Sequence, residues 1–227
     1  MTPCTIIIID ALHFCISNST LNHRILIGGV FIGGISVRVL IGGISVRILV
    51  GGISVAGVVT ASQILGNNGA DTINFNDAVY SSTILGASSG STDAGTDSLS
   101  FTAAISSSSI DAGYGADTFN ADAANSNSTI LGGAGADTIE LTASTDSSVL
   151  GGAGNDYVVE AGAFNTSSML GGSGDDSLNF SSTMSTSNVE AGTGNDSLTF
   201  AGVVSDSTIL GSTDSATYLT AGAGITA

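Results

Sequence analysis

An aspartate returns along this chain at nearly constant intervals, and that period limits what the chain can fold into. Asp71, Asp97, Asp117, Asp137, Asp156, Asp176 and Asp196 are separated by 26, 20, 20, 19, 20 and 20 residues. An eighth copy carries Ala216 where the next aspartate would fall. Self-similarity at a fixed period marks a repeat architecture, in which each unit buries too little to fold alone and stability comes from neighbours. The units are glycine-rich just before the aspartate: Gly132-Gly133-Ala134-Gly135-Ala136-Asp137, Gly151-Gly152-Ala153-Gly154-Asn155-Asp156, Gly171-Gly172-Ser173-Gly174-Asp175-Asp176, and Gly192-Thr193-Gly194-Asn195-Asp196.

The residues after each aspartate predict a strand. The second is apolar (Ile73, Leu99, Phe119, Ile139, Val158, Leu178, Leu198). The fourth is often so (Phe75, Phe101, Leu141, Phe180, Phe200), with Ser, Thr or Asn mostly between. That is the alternation of a strand with one buried face. A second apolar pair precedes each loop, as in Ile130-Leu131, Val149-Leu150 and Met169-Leu170. Glycine clusters at this spacing would break a helix repeatedly. Two strands and two turns per unit describe one coil of an all-β, right-handed parallel β-solenoid (a β-roll or β-helix) of about eight coils. Like residues then stack about 4.8 Å apart, Phe180 near Phe200 and Ile139 near Val158. The longer first interval predicts a surface bulge between Ala87 and Gly95, since closure entropy grows only logarithmically with loop length.

Stacking gives the loops a chemistry. Glycines allow φ > 0, so a tight loop can turn carbonyls inward, and the aspartate adds a carboxylate. Carboxylates about 4.8 Å apart repel by about 0.9 kcal/mol in water and about 3.5 kcal/mol at an effective dielectric of 20. A row of seven opposes folding unless cations lie between them. Calcium takes six to eight oxygen ligands in flexible geometry, and carbonyl loops with one carboxylate each offer part of that shell. The expected ligands are Asp71, Asp97 and Asp117, then Gly132, Gly133, Gly135 and Asp137, Gly151, Gly152, Gly154 and Asp156, Gly171, Gly172, Gly174 and Asp176, and Gly192, Gly194 and Asp196. Folding coupled to calcium is the expectation. The competing reading is a plain glycine turn with an aspartate that suits turns.

The pattern Gly-Gly-x-Gly-x-Asp-x-apolar-x resembles the RTX, or hemolysin-type, calcium-binding repeat. The likeness covers Ile64 to about Phe200. It implies a parallel β-roll, calcium between successive loops, and type I secretion to an extracellular or cell-surface location. The sequence departs from the family in carrying the loop at only one turn per coil, which implies one calcium row. Asn67-Asn68, Asp93 and Ala112 replace loop glycines in the early copies.

Charge agrees with a cation partner. The chain has 227 residues and a net charge of −16. Arg24, Arg38 and Arg47 are its only Lys or Arg, and residues 61–227 hold 18 acids. Nucleic acid is not an expected partner for such a surface. No His, Cys, Lys or Arg follows residue 60, so a Ser-His-Asp triad or thiol nucleophile is excluded there and no enzyme is expected. Cys4, Cys15, His13 and His23 lack the spacing of a structural zinc site. No cleavable signal peptide is evident at the N-terminus.

Three segments are expected: an unassigned leader at 1–24, an apolar segment at 25–60, and the repeats at 61–227. In the apolar segment, Gly33-Gly34-Ile35-Ser36-Val37-Arg38-Val39-Leu40-Ile41 recurs as Gly42–Val50 and begins again at Gly51. Arginine stands where the calcium motif has aspartate, and arginine offers no lone pair to a metal. Metal-free coils or a cap are expected, and membrane association only through this segment. The function expected is a calcium-binding structural or adhesive segment, with calcium ions and cell-surface or extracellular-matrix components as partners. The alternative is a calcium-dependent ice-binding solenoid, for which outward rows such as Thr72, Ser98, Thr118, Thr138, Tyr157, Ser177 and Ser197 would be the surface.

Overall fold

The alternation after each aspartate forms short strands that bury one face and then turn, and the turns return the chain to the start of the next coil. A computed structural model describes residues 35–38, 45–47, 51–87, 94–212, 217–221 and 225–226. The 1–24 leader and the middle of the expected bulge lie outside them. All regular structure among the described residues is β-strand, arranged as a parallel β-solenoid of about eight coils.

Each fully described coil contributes three strands, where the sequence predicts two. In one coil these are Thr138–Leu141, Ser144–Thr145 and Ser148–Ala153. They belong to parallel sheets of ten, nine and nine strands, here the first, second and third sheets. The second-sheet strands span two residues with a single inward side chain, as in Ile105–Ser106 and Met184–Ser185. One inward residue cannot display a period of two, which is why this sheet left no alternation in the sequence.

Register follows the repeat without slippage. Thr118, Thr138, Tyr157, Ser177 and Ser197 are successive partners in the first sheet. The strand Asp71–Phe75 pairs with Ser98–Phe101 across the longer interval, Thr72 beside Ser98, so the insertion does not disturb the stack. Backbone pairing also reaches the nonapeptide segment. Ile35 lies beside Ile53, 18 residues on and twice the nine-residue period. The strand Ser45–Arg47 pairs with Gln63–Leu65 in the third sheet.

The core is a set of columns. Ile73, Leu99, Phe119, Ile139, Val158, Leu178 and Leu198 form one, all at 2 % exposure or less. Phenylalanines stack in two runs. Ring centroids are 4.6 Å apart for Phe75 and Phe101, 5.2 Å for Phe101 and Phe119, 5.2 Å for Phe164 and Phe180, and 4.9 Å for Phe180 and Phe200. Of each Ile-Leu pair only the first residue enters the core. Ile130 and Val149 are buried, while Leu131 and Leu150 lie partly exposed on the outer face, because adjacent strand residues point to opposite sides.

The turn between the second and third sheets is a serine ladder. The backbone N–H of Ser62, Ser82, Ser108, Ser128, Ser147 and Ser167 each donates to Oγ of the next serine in the stack. The Ser128 N–H donates to Ser147 Oγ (3.3 Å), and that hydroxyl donates to the Thr145 carbonyl (2.9 Å). The residue before each serine has φ near +50°, as at Asn127 (49°), Asp146 (52°) and Thr166 (51°). Ser147→Ala removes one link and leaves the buried Ser128 N–H without its partner. Equilibrium denaturation is expected to show a loss of about 1–2 kcal/mol, and a change below about 0.3 kcal/mol would show that the ladder only decorates the turn.

Candidate cation site

The glycine turn between the third and first sheets places every predicted aspartate at one corner. Asp71, Asp97, Asp117, Asp137, Asp156, Asp176 and Asp196 are all buried, at 1 to 2 % exposure. They form one column along the solenoid. Each backbone N–H donates to Oδ1 of the next aspartate: Asp97 to Asp117 at 2.7 Å, Asp117 to Asp137 at 2.8 Å, Asp137 to Asp156 at 2.9 Å, Asp156 to Asp176 at 2.8 Å and Asp176 to Asp196 at 3.0 Å. Asp71 joins the same ladder through Asp97 Oδ1 at 2.8 Å. The altered early loops therefore do not displace their aspartates from the row.

The second oxygen of each carboxylate is different. Oδ2 of Asp117, Asp137, Asp156, Asp176 and Asp196 is buried and has no hydrogen-bond partner. For Asp137, Asp156 and Asp176 it lies beside the first glycine of its own loop, next to a backbone carbonyl of the following coil. A Cβ at Gly132 would come 2.7 Å from Asp137 Oδ2 and 2.6 Å from the Gly151 carbonyl oxygen. At Gly151 the distances are 2.5 Å to Asp156 Oδ2 and 2.6 Å to the Gly171 carbonyl oxygen. A side chain is absent where two oxygens from neighbouring coils converge. Gly66 and Gly86 stand in the same relation to Asp71 and Asp97, with Cβ distances of 2.8 and 2.6 Å to Oδ2. Sequence reasoning passed over these two glycines. Their signal was their place directly after Ile64-Leu65 and Ile84-Leu85. At the corresponding position Ala112 and Ala191 carry a methyl group.

Gly133, Gly135, Gly152, Gly154, Gly172, Gly174, Gly192 and Gly194 serve the turn itself. Their φ values lie between +109° and +139°, a region that side chains rarely enter. The turns hydrogen-bond from coil to coil, as where the Gly135 N–H donates to the Ala153 carbonyl at 2.6 Å.

Burial raises the carboxyls. Desolvation, opposed by the incoming N–H bond and reinforced by neighbouring aspartates, pushes Asp117 and Asp156 up to about 7. Asp137 is pushed up to about 6 by burial, with Asp111 adding to it, and Asp176 to about 6 by burial, with Asp196 and Asp175 adding to it. Asp175 itself is exposed, and its N–H donates to Asn155 Oδ1 at 2.9 Å on the outside of the loop.

Among the described residues no three His, Cys, Asp or Glu side chains converge. A cation in this row would draw most of its ligands from backbone carbonyls, with one or two carboxylates. The buried, unpartnered Oδ2 atoms, the carbonyls opposite them and the empty glycine cradles fit a hard, oxygen-seeking ion such as calcium.

The outward rows of the first sheet, the surface of the alternative reading, are not uniform. Tyr157 interrupts the Thr and Ser row, and Glu140 and Val159 interrupt the parallel row of Asn120, Asn179 and Thr199. Among the described residues no helix is long and apolar enough to cross a membrane. No protein-family model, curated protein or solved structure matches the chain.

Proposed function

We propose that this chain is a calcium-binding structural solenoid of the RTX type, in which divalent ions complete one corner of each coil. One observation carries the reading: in a buried column of carboxylates, the second oxygens of Asp117, Asp137, Asp156, Asp176 and Asp196 lack partners, and those of Asp137, Asp156 and Asp176 lie beside a backbone carbonyl of the next coil. The holding residues would be the aspartates of the row and the loop carbonyls, those of Gly151 and Gly171 among them. Bound calcium would supply positive charge where the chain has none, since residues 61–227 lack Lys and Arg. Coil winding and ion binding are then one reaction. An extracellular or cell-surface setting suits such a device, because calcium modules outside cells work at dissociation constants of about 10⁻⁴–10⁻³ M. The role is structural or adhesive, with the outer strand faces as the contact surface.

Calorimetric titration of the metal-stripped chain tests the reading. Calcium is expected to bind at about six equivalents, one for each interval between seven stacked coils, with strand circular dichroism rising over the same range. Magnesium should substitute poorly, because it demands tight octahedral geometry and dehydrates reluctantly. No heat and no spectral change at millimolar calcium would sink it.

A further inference from the structure

Among the described residues the inward-facing columns are apolar except at one place and at the aspartate and serine corners. Asn125, Ser144 and Glu160 point inward at 1, 0 and 0 % exposure. Asn125 and Ser144 are neighbours in the second sheet, between Ile105 and Phe164. Glu160 occupies the first-sheet column between Leu141 and Phe180. The Ser144 hydroxyl donates to Glu160 Oε2 at 2.7 Å. Asn125 Oδ1, Asn125 Nδ2 and Glu160 Oε1 have no partner, although all three are buried.

The same stretch carries small side chains in its columns. Phe101 is followed in its column by Ala121, and Ile105 in its column by Asn125 and then Ser144. The two phenylalanine runs end on either side, at Phe119 and at Phe164. Polar atoms without partners and small side chains thus occupy the same few consecutive coils of the interior. Burying an amide and a carboxyl without hydrogen bonds is costly, and native proteins avoid it by pairing such groups or by enclosing water.

We propose that Asn125, Ser144 and Glu160 form a sealed hydration site inside the solenoid, holding at least one internal water. Asn125 offers a donor and an acceptor and Glu160 Oε1 a further acceptor, and a buried water needs two to four such partners. Desolvation, opposed by the Ser144 hydroxyl, pushes Glu160 up to about 8, so at neutral pH it is a neutral acid that can donate as well as accept. No basic side chain is available to pair with it, because the repeats contain none. The site lies in the core, apart from the aspartate corner, and does not depend on what that corner binds.

Water-oxygen magnetic relaxation dispersion on the full chain at pH 6.5, with calcium present and again absent where the chain stays folded, tests the site. At least one long-lived water is expected. Glu160→Gln should retain it, since the amide keeps both hydrogen-bonding roles. Asn125→Val with Ser144→Val and Glu160→Leu should lose it. A wild-type chain with no long-lived water overturns the site, as does a folded triple variant that keeps the wild-type number. If the triple variant does not fold, high-resolution diffraction of the wild-type chain decides. Solvent density within hydrogen-bond reach of Asn125 Oδ1 and Glu160 Oε1 is expected, and its absence, or a response to sodium or potassium that marks a bound ion, rejects the proposal.

Discussion

In calcium-stripped buffer the solenoid is expected to be more stable near pH 4 than at pH 8, the reverse of the usual acid sensitivity of a folded protein. The reason lies in the buried row. Asp117 and Asp156 are raised to about 7, and Asp137 and Asp176 to about 6, chiefly by burial. Glu160, raised to about 8 by the same cause, adds to them. The folded state therefore holds protons that the unfolded chain releases near its ordinary carboxylate values. Stability from this source is complete below about pH 4 and is lost as pH rises through 6 to 8. With solvent screening allowed for, the four aspartates together contribute on the order of 5 kcal/mol. That corresponds to a melting shift of about 10 °C or more for a domain of this size. Calcium should invert the order, because it binds the ionised row and not the protonated one. Thermal melts followed by circular dichroism at the two pH values, with and without calcium, measure this directly. Equal melting points in stripped buffer, or a higher one at pH 8, would mean that the carboxylates are not buried as a row.

Much of this architecture was legible because the columns are chemically uniform. The aspartate, the apolar residue two positions on and the glycines before it return at one spacing, and each has a single structural explanation. The serine column is as regular, from Ser62 to Ser207, yet it read only as a polar turn, since serine is common in turns. Its partner, the residue at φ near +50°, carries no signal: Ala61, Ser81, Asn127, Asp146 and Thr166 share a backbone angle and little chemistry. The second-sheet strand was hidden by its length. The outward leucines were hidden by their neighbours, since an adjacent apolar pair does not say which member faces in. Glu160 was the hardest case. It takes the position filled by Phe180 and Phe200 in the next coils, and only the stacked structure shows that a carboxyl has entered the core.

Asp156→Asn should change stability in opposite directions with and without calcium, and this sign reversal separates a cation row from a set of glycine turns. Asparagine keeps the Oδ1 that accepts the Asp137 N–H at 2.9 Å. Its amide nitrogen replaces Oδ2, which faces the Gly171 carbonyl across the Gly151 cradle. An oxygen opposed to an oxygen becomes a donor opposed to an acceptor. The substitution also removes a carboxyl that burial raises to about 7 and that Asp137 and Asp176 further disfavour as an anion. At pH 8 in stripped buffer the variant should therefore gain about 2 kcal/mol, discounted for solvent screening. With calcium saturating, the wild type gains binding energy at this position that the amide returns only in part, so the variant should lose about 2 kcal/mol and bind fewer ions. A plain turn predicts one sign in both buffers, because nothing in it distinguishes the presence of calcium from its absence. Denaturation midpoints of wild type and variant in the two buffers give four numbers, and a cycle that closes near zero would remove the cation from the account of this fold.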